Sequence, residues 1–376
     1  MSRCGDYGDV VSDLLSVVEA RGYADVANAL LGIFGDDAAL FVIDHAFEQL
    51  VEVTTGTNGG SARLLDDELR VSMLENRPYV DGSMRWVPIS DREQPVLVVR
   101  VPVTTDLPPD DVMAQLGPIA NDHRNRFEEL ERIRRRSSMS VAAEMQWASL
   151  PNRADRLGDY AIGSVLEPAY EVAGDAFDYA AADGAIWVYS LDGMGHGLAA
   201  ATASVMALAA IRNERRRGGG LDAQMAAADA ALFDEFGGDR FVTGLACRID
   251  ADGVEFVNAG HEPAWRVTGS QASRLELTAE LPLGVVGSHE YRLQRQGPLD
   301  GGDGIVLFSD GPTNSHAPDG TAYSADRLRE RLEAHWWKAP LRTAHEVIAD
   351  VLGFIGSGKV TDDITAVVVR RETSAA

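Results

Sequence analysis

A chain of 376 residues exceeds one typical domain, so two folded units joined by a linker are the starting expectation. With 45% hydrophobic and 24% charged residues the composition is globular, and a formal net charge of -24 argues against nucleic acid and anionic membrane surfaces as partners. The acidic surplus either keeps the protein soluble or, where clustered, holds divalent cations.

Cys4 and Cys247 have no metal-ligand spacing, which suggests neither a zinc site nor a disulfide framework. No basic segment followed by an apolar run opens the chain. The longest largely apolar stretch, Leu198 to Ile211, is too short to span a bilayer, so a cytoplasmic protein is expected.

In chain order, Val11, Leu14, Leu15, Val18, Ala27, Leu30, Leu31 and Phe34 fall at helical spacing with an interruption near Gly22, predicting two short helices. Runs rich in Val and Leu predict strands over Ala39 to Ile43, Gln49 to Thr54 and Val96 to Val103, with a helix over Asp67 to Asn76. Residues 1–118 therefore read as a small α+β unit. In order of elements and size it resembles GAF or PAS sensory domains, which leaves a small-molecule or protein signal and a plain docking or dimerisation role both open.

Residues 119–152 read as a helical linker, strongly helical over Ile119 to Leu150 with Phe127, Leu130 and Ile133 on one stripe. That stripe is too brief for a sustained coiled coil, though a short helix pair in a homodimer stays open. The run Arg132, Arg134, Arg135 and Arg136 reads as a solvated face. From 153 to 372, strand-like runs alternate with Gly/Asp turns around two adjacent helices, Gly197 to Arg217 and Leu221 to Phe236, an order that predicts antiparallel sheets covered by helices.

Three apolar strands here carry aspartates at one end. Ala185 to Leu191 runs into Asp192-Gly193, Gly304 to Ser309 runs into Asp310-Gly311, and Ile364 to Arg371 follows Asp362-Asp363. One Asp-Gly after a strand is only a turn signal. Three such ends, together with Asp175, supply carboxylates that adjacent strands could gather. Clustered carboxylates persist mainly where cations neutralise them, and oxygen-only ligands select Mg²⁺ or Mn²⁺ over zinc. Each following glycine is either a turn residue or a place where an unhindered backbone carbonyl approaches an ion.

Seven short motifs then occur in order: Glu171-Val-Ala-Gly-Asp175, Asp192-Gly-Met-Gly-His-Gly197, Phe241-Val-Thr-Gly244, Asn258-Ala-Gly-His261, Pro282-Leu-Gly284, Ser309-Asp-Gly311 and Thr361-Asp-Asp-Ile-Thr365. Over roughly Asp155 to Arg371 the chain resembles the PPM, or type 2C, metal-dependent protein serine/threonine phosphatases, in particular their bacterial SpoIIE/RsbU-like branch. The resemblance implies an α+β fold, a layered α/β/β/α sandwich with two Mn²⁺ or Mg²⁺ ions at one edge. It implies Asp175, Asp192 and the Gly193 carbonyl as ligands, with Asp310 and Asp362 completing the second ion's shell. Asp363 falls where relatives often carry Asn and ranks below Asp362.

Two such ions can lower the pKa of a shared water for in-line attack on phosphorus, consistent with a sequence that carries no Gly-x-Ser-x-Gly elbow. Met194 stands where eukaryotic relatives have a His proposed as general acid, and nearby His196 is either a proton donor or a structural turn histidine. His261 reads as a buried structural histidine, and Trp336 and Trp337 as ordinary packing rather than a protein-contact patch. The resemblance further implies a phosphorylated protein substrate, a STAS-type antagonist of an anti-sigma factor, under control of the N-terminal unit. The rival reading is a non-catalytic module of the same fold that signals by protein contact.

Overall fold

The structure, a computed structural model, describes residues 17–18, 23–35, 37–53, 60–126, 128–135, 138–168, 174–358, 360 and 362–373. Val11, Leu14, Leu15, Thr54, Phe127, Arg136, Glu171, Ala173 and Thr361, invoked above, lie outside the described residues. The chain forms two compact units, 1–138 and 139–376, so residues 119–138 belong to the first body and 139–152 to the second.

In the first unit, helix α1 (Tyr23–Phe34) precedes strands β1 (Ala39–Ile43), β2 (Gln49–Glu52) and β3 (Ala62–Leu64), helix α2 (Asp67–Leu74), strands β4 (Tyr79–Asp81), β5 (Met84–Asp91) and β6 (Gln94–Pro102), and helices α3 (Asp110–Arg126) and α4 (Glu128–Arg134). The strands make one antiparallel sheet in the order β3-β2-β1-β6-β5-β4. Alternation puts Leu40, Val42, Val87, Ile89, Leu97 and Val99 in one core with Leu30 and Phe34 of α1, Leu116 and Ala120 of α3 and Leu130 of α4.

The arginine run is not uniformly a solvated face. Arg132 is exposed, whereas Arg134 donates from Nε to the Ile43 carbonyl at 3.1 Å and pairs with Glu131, which also meets His45. The charges dock α4 on β1, because a helix close to a strand end leaves a backbone acceptor that a long cation can satisfy.

The helical text over 119–150 is not one continuous helix, because Arg135 and Ser138 to Ser140 lie outside helices. Helix α5 (Val141–Ser149) starts anew because Ser140 caps it, its Oγ accepting the Ala143 N–H at 3.1 Å.

The second unit continues with β7 (Ala154–Leu157), β8 (Tyr160–Glu167), β9 (Asp175–Ala182), β10 (Ala185–Gly193), α6 (Leu198–Arg216), α7 (Leu221–Phe236), β11 (Val242–Ile249), β12 (Val254–Ala259), β13 (Trp265–Thr268), β14 (Gln271–Arg274), β15 (Gln294–Gln296), β16 (Gly304–Phe308), α8 (Gly311–Asn314), α9 (Ala325–His335), α10 (Pro340–Ile355) and β17 (Ile364–Arg371). Two antiparallel sheets result, β15-β12-β11-β10-β9 and β14-β13-β16-β17-β8-β7. Strand β10 illustrates how they become inner layers. Ile186 and Val188 enter a core with Leu245, Phe256, Ile305, Leu307 and Val367 between the sheets, while Trp187, Tyr189 and Leu191 pack against Ala203, Ala207, Leu208, Met225 and Leu232 of α6 and α7. On the outer side of the second sheet, α10 buries Leu341, Ala344, Val347, Ile348 and Val351.

Close approach of α10 to β8 depends on Gly163, where a Cβ would overlap the backbone of Pro340 and Leu341. Gly163→Ala is expected to destabilise the second unit by about 2 kcal/mol or more in thermal melts, since backbone on both sides cannot yield. Trp336 is buried with its indole N–H on the Gly302 carbonyl at 2.8 Å, as packing requires, but Trp337 remains 60% exposed.

Candidate active site

Antiparallel pairing brings the aspartates to one edge of the sandwich. Asp175 opens β9 directly opposite Asp192 near the end of β10. On the second sheet, β16 pairs with β17, so Asp310, just past β16, comes near Asp362 and Asp363, just before β17. A cavity of about 320 Å³ there is lined by Asp192, Met194, Gly195, His196, Phe241, Thr243, Asp310 and Asp362.

Asp175 and Asp363, each 1% exposed, do not line the cavity and form its supports. Asp175 Oδ2 accepts the Thr365 hydroxyl at 2.5 Å. Asp363 Oδ2 accepts the backbone N–H groups of Gly174 at 2.7 Å and Asp175 at 3.0 Å, while its Oδ1 is buried with no hydrogen-bond partner. The side chain of Gln146, on α5, donates to the Asp175 carbonyl at 2.6 Å and more distantly to Asp363 Oδ2, and its own Oε1 is also buried without a partner.

Gly193 and Gly311 follow their aspartates for a packing reason, since neither has a positive φ. A Cβ on Gly193 would lie 2.6 Å from Ser204 Oγ and 2.7 Å from the Ala200 carbonyl of α6, and one on Gly311 would overlap the Asp363 carbonyl. This close packing is a reason distinct from both readings offered above, the turn and the carbonyl that approaches an ion.

Electrostatics follow from the crowding. Burial first, then the charges of Asp310, Asp362 and Asp363, pushes Asp192 up to about 8. Burial, then Asp192 and Asp363, raises Asp175 well above the usual carboxylate range, against the hydrogen bonds from Thr365 and Ser309. Asp362 is raised by burial and then by Asp310, with His196 opposing, and burial raises Asp310 against a hydrogen bond from Asn314. Burial also raises Asp363, against its hydrogen bonds from Gly174, Asp175 and Gln146.

Among the described residues no three or more His, Cys, Asp or Glu side chains close on a common point as a metal would require. The donor chemistry nonetheless fits hard divalent ions, with oxygen atoms alone, mutual repulsion awaiting a counter-charge, and the unpartnered buried Asp363 Oδ1. His196 is exposed at the cavity mouth, and His261 is 6% exposed and hydrogen-bonded on both ring nitrogens.

Sequence reasoning missed Gln146, Ser309 and Thr365 as supports, and Thr243 as a wall. Thr365 and Ser309 lay within quoted motifs, but a long-range tie such as Gln146 leaves no local signal.

A layered sandwich with a carboxylate-lined cavity at the sheet edge defines a phosphatase-type fold and site. The Stage II sporulation protein E (SpoIIE) profile matches residues 182–372, so the chain belongs to the SpoIIE family of PP2C-type serine/threonine phosphatases. The matched segment includes Asp192, Asp310, Asp362 and Asp363 but neither Asp175 nor any of the N-terminal unit.

Phosphoserine phosphatase RsbU of Bacillus subtilis is 25% identical over 240 residues, covering 63% of this chain and 71% of that protein. The SiaA-PP2C domain of Pseudomonas aeruginosa shares the fold at a TM-score of 0.53 and 23% identity, over 61% of this chain and 94% of that one. The RsbU and RsbW domains of Rv1364c from Mycobacterium tuberculosis match at a TM-score of 0.49 and 23% identity, over 58% of this chain and 61% of that structure, less than two thirds of its length. Matched structures with bound metal include RsbX with magnesium and the PstP catalytic domain with two manganese ions, at 15% and 18% identity. Among the described residues no helix is long and apolar enough to cross a membrane.

Proposed function

We propose that the chain removes phosphate from serine or threonine of a partner protein with the help of two Mn²⁺ or Mg²⁺ ions, held by Asp175, Asp192, the Gly193 carbonyl, Asp310 and Asp362. The observation that carries this reading is the set of carboxylates, three on the wall of one cavity and two beneath it, all raised by burial, with neighbouring carboxylate charges adding at Asp175, Asp192 and Asp362. Bound cations would neutralise that repulsion and acidify a water for attack on phosphorus.

The chain's own groups do the remaining work. Asp192, Asp310 and Asp362 present oxygens to the cavity, and Thr365 fixes the Asp175 carboxylate. Asp363 ranks below Asp362 as a ligand, because one of its oxygens already holds the Gly174 and Asp175 N–H groups and only Oδ1 is left for an ion. Met194 and Phe241 form apolar walls of the cavity, and His196 at its mouth is read as the proton donor to the leaving oxygen.

The partner is read as a phosphorylated STAS-type antagonist of an anti-sigma factor, following the family resemblance and the likeness to RsbU. The N-terminal unit is read as a GAF/PAS-like sensor that adjusts the rate. Hydrolysis of p-nitrophenyl phosphate and of a phosphoserine protein with Mn²⁺ tests the core reading. Activity is expected to appear with millimolar Mn²⁺ and vanish with EDTA, whereas EDTA-resistant hydrolysis would overturn the mechanism. A chain that binds the partner but no Mn²⁺ by calorimetry would instead be a non-catalytic module.

A further inference from the structure

We propose that the Thr243 hydroxyl is a fixed contact to the substrate's phosphoryl group and that His261, buried behind it, is the residue that positions it. The inference rests on the phosphatase reading above and assigns to that site a protein contact for the phosphate itself.

The cavity wall poses a chemical difficulty. It carries three carboxylates and two apolar side chains but no Lys or Arg, so among the lining residues only His196 and Thr243 can donate a side-chain hydrogen bond to a phosphoryl oxygen. His196 is exposed and lies on the loop before α6. Thr243 differs because it stands on strand β11, in register with Asp192 of β10 and therefore one strand spacing from the carboxylates.

Thr243 is also held from behind. Its Oγ1 lies 2.9 Å from His261 Nδ1, and His261 Nε2 lies 3.1 Å from Ser190 Oγ. The main chain that carries the ring is fixed as well, since the backbone N–H of His261 donates to Asn258 Oδ1 at 2.8 Å and Asn258 Nδ2 donates back to the His261 carbonyl at 3.0 Å. Asn258 and Ser190 are fully buried. Burial pushes His261 down to about 4, against the Phe308 carbonyl, so near neutral pH one ring nitrogen donates and the other accepts.

Phosphoryl oxygens only accept, so the proposed contact requires the ring proton on Nδ1. Nδ1–H then donates to Thr243 Oγ1, the Ser190 hydroxyl donates to Nε2, and the Thr243 hydroxyl hydrogen is left for the cavity. A donor prepaid in this way costs no reorganisation when charge builds on the phosphoryl group.

The test compares Thr243→Val, Thr243→Ser and His261→Gln in the full chain at saturating Mn²⁺. It reads kcat and KM for p-nitrophenyl phosphate, the Ki of inorganic phosphate, Mn²⁺ affinity by calorimetry, and the thermal midpoint. Thr243→Val is expected to lower kcat/KM by about 10- to 100-fold and to raise the phosphate Ki about tenfold, with Mn²⁺ affinity within about twofold. Thr243→Ser restores most of both. His261→Gln moves the phosphate Ki the same way and adds little on top of Thr243→Val, as expected of groups acting in one chain.

A valine variant with wild-type kcat/KM and phosphate Ki would overturn the inference, as would a serine variant as impaired as the valine one, which marks packing. A wild-type chain with no Mn²⁺-dependent hydrolysis would overturn the underlying phosphatase reading and this inference with it.

Discussion

Asp192→Asn is expected to cut Mn²⁺-dependent hydrolysis sharply while making the EDTA-treated chain more stable at pH 8. The folded-state carboxyl of Asp192 sits near 8 because of burial and then Asp310, Asp362 and Asp363, whereas in the unfolded chain it titrates near 3.9. Between about pH 4 and 8 the folded state therefore holds a proton that the unfolded state has released. The resulting stabilisation is complete below about pH 4 and is lost as pH rises through 8. At about 1.4 kcal/mol for each pH unit by which the carboxyl is raised, the effect reaches a few kcal/mol.

The melting temperature of the metal-free wild type should accordingly fall by several degrees from pH 5 to pH 8, and that of Asp192→Asn should fall less. Saturating Mn²⁺ should reverse the loss in the wild type, since binding to the folded state alone stabilises it, and should do little for the variant. The accompanying loss of activity is expected on the order of 10³-fold. Melts with the same pH slope for wild type and variant would show that Asp192 does not carry the repulsion.

The aspartates were legible in the sequence because strand ends announce themselves. A continuous apolar run closed by Asp-Gly marks where a carboxylate leaves a sheet, and the pattern recurs at Asp192 and Asp310. The pairing of Asp175 with Asp192 and the division of the aspartates into cavity wall and support were not legible, because register across strands is a long-range property. Gln146 was hidden for the same reason. It lies on α5, among residues read as linker, yet it reaches a carbonyl 29 residues away. Arg134 misled because a run of like charges looks solvated until a backbone acceptor such as Ile43 meets it. The two adjacent helices α6 and α7 were plain as long Ala-rich runs without Pro or internal Gly, whereas the start of α5 is marked by a capping serine, Ser140.

Gly311→Ala should couple stability and activity most tightly. Its Cβ would overlap the Asp363 carbonyl and lie 3.1 Å from Ile364 Cα. No flexible side chain is there to yield. The Asp363 carbonyl accepts the Ser309 hydroxyl at 3.3 Å, the Thr365 N–H donates to Ser309 Oγ at 3.0 Å, and the β16–β17 ladder continues from Phe308 opposite Ala366. The added methyl can be accommodated only by separating the two strand ends that carry Asp310 and Asp362. Overpacking of this kind costs about 3 kcal/mol, and a displacement of about 1 Å at reacting groups costs roughly 100-fold in rate. Mn²⁺ affinity measured by calorimetry should fall at least about tenfold in parallel. Gly353→Ala is the matched control, because that exposed glycine of α10 has nothing within 4 Å of a new Cβ and alanine favours the helix by up to about 1 kcal/mol. If Gly311→Ala melted and bound Mn²⁺ as the wild type does, the contact between α8 and the Asp363 carbonyl would not be what holds the two carboxylate-bearing ends together.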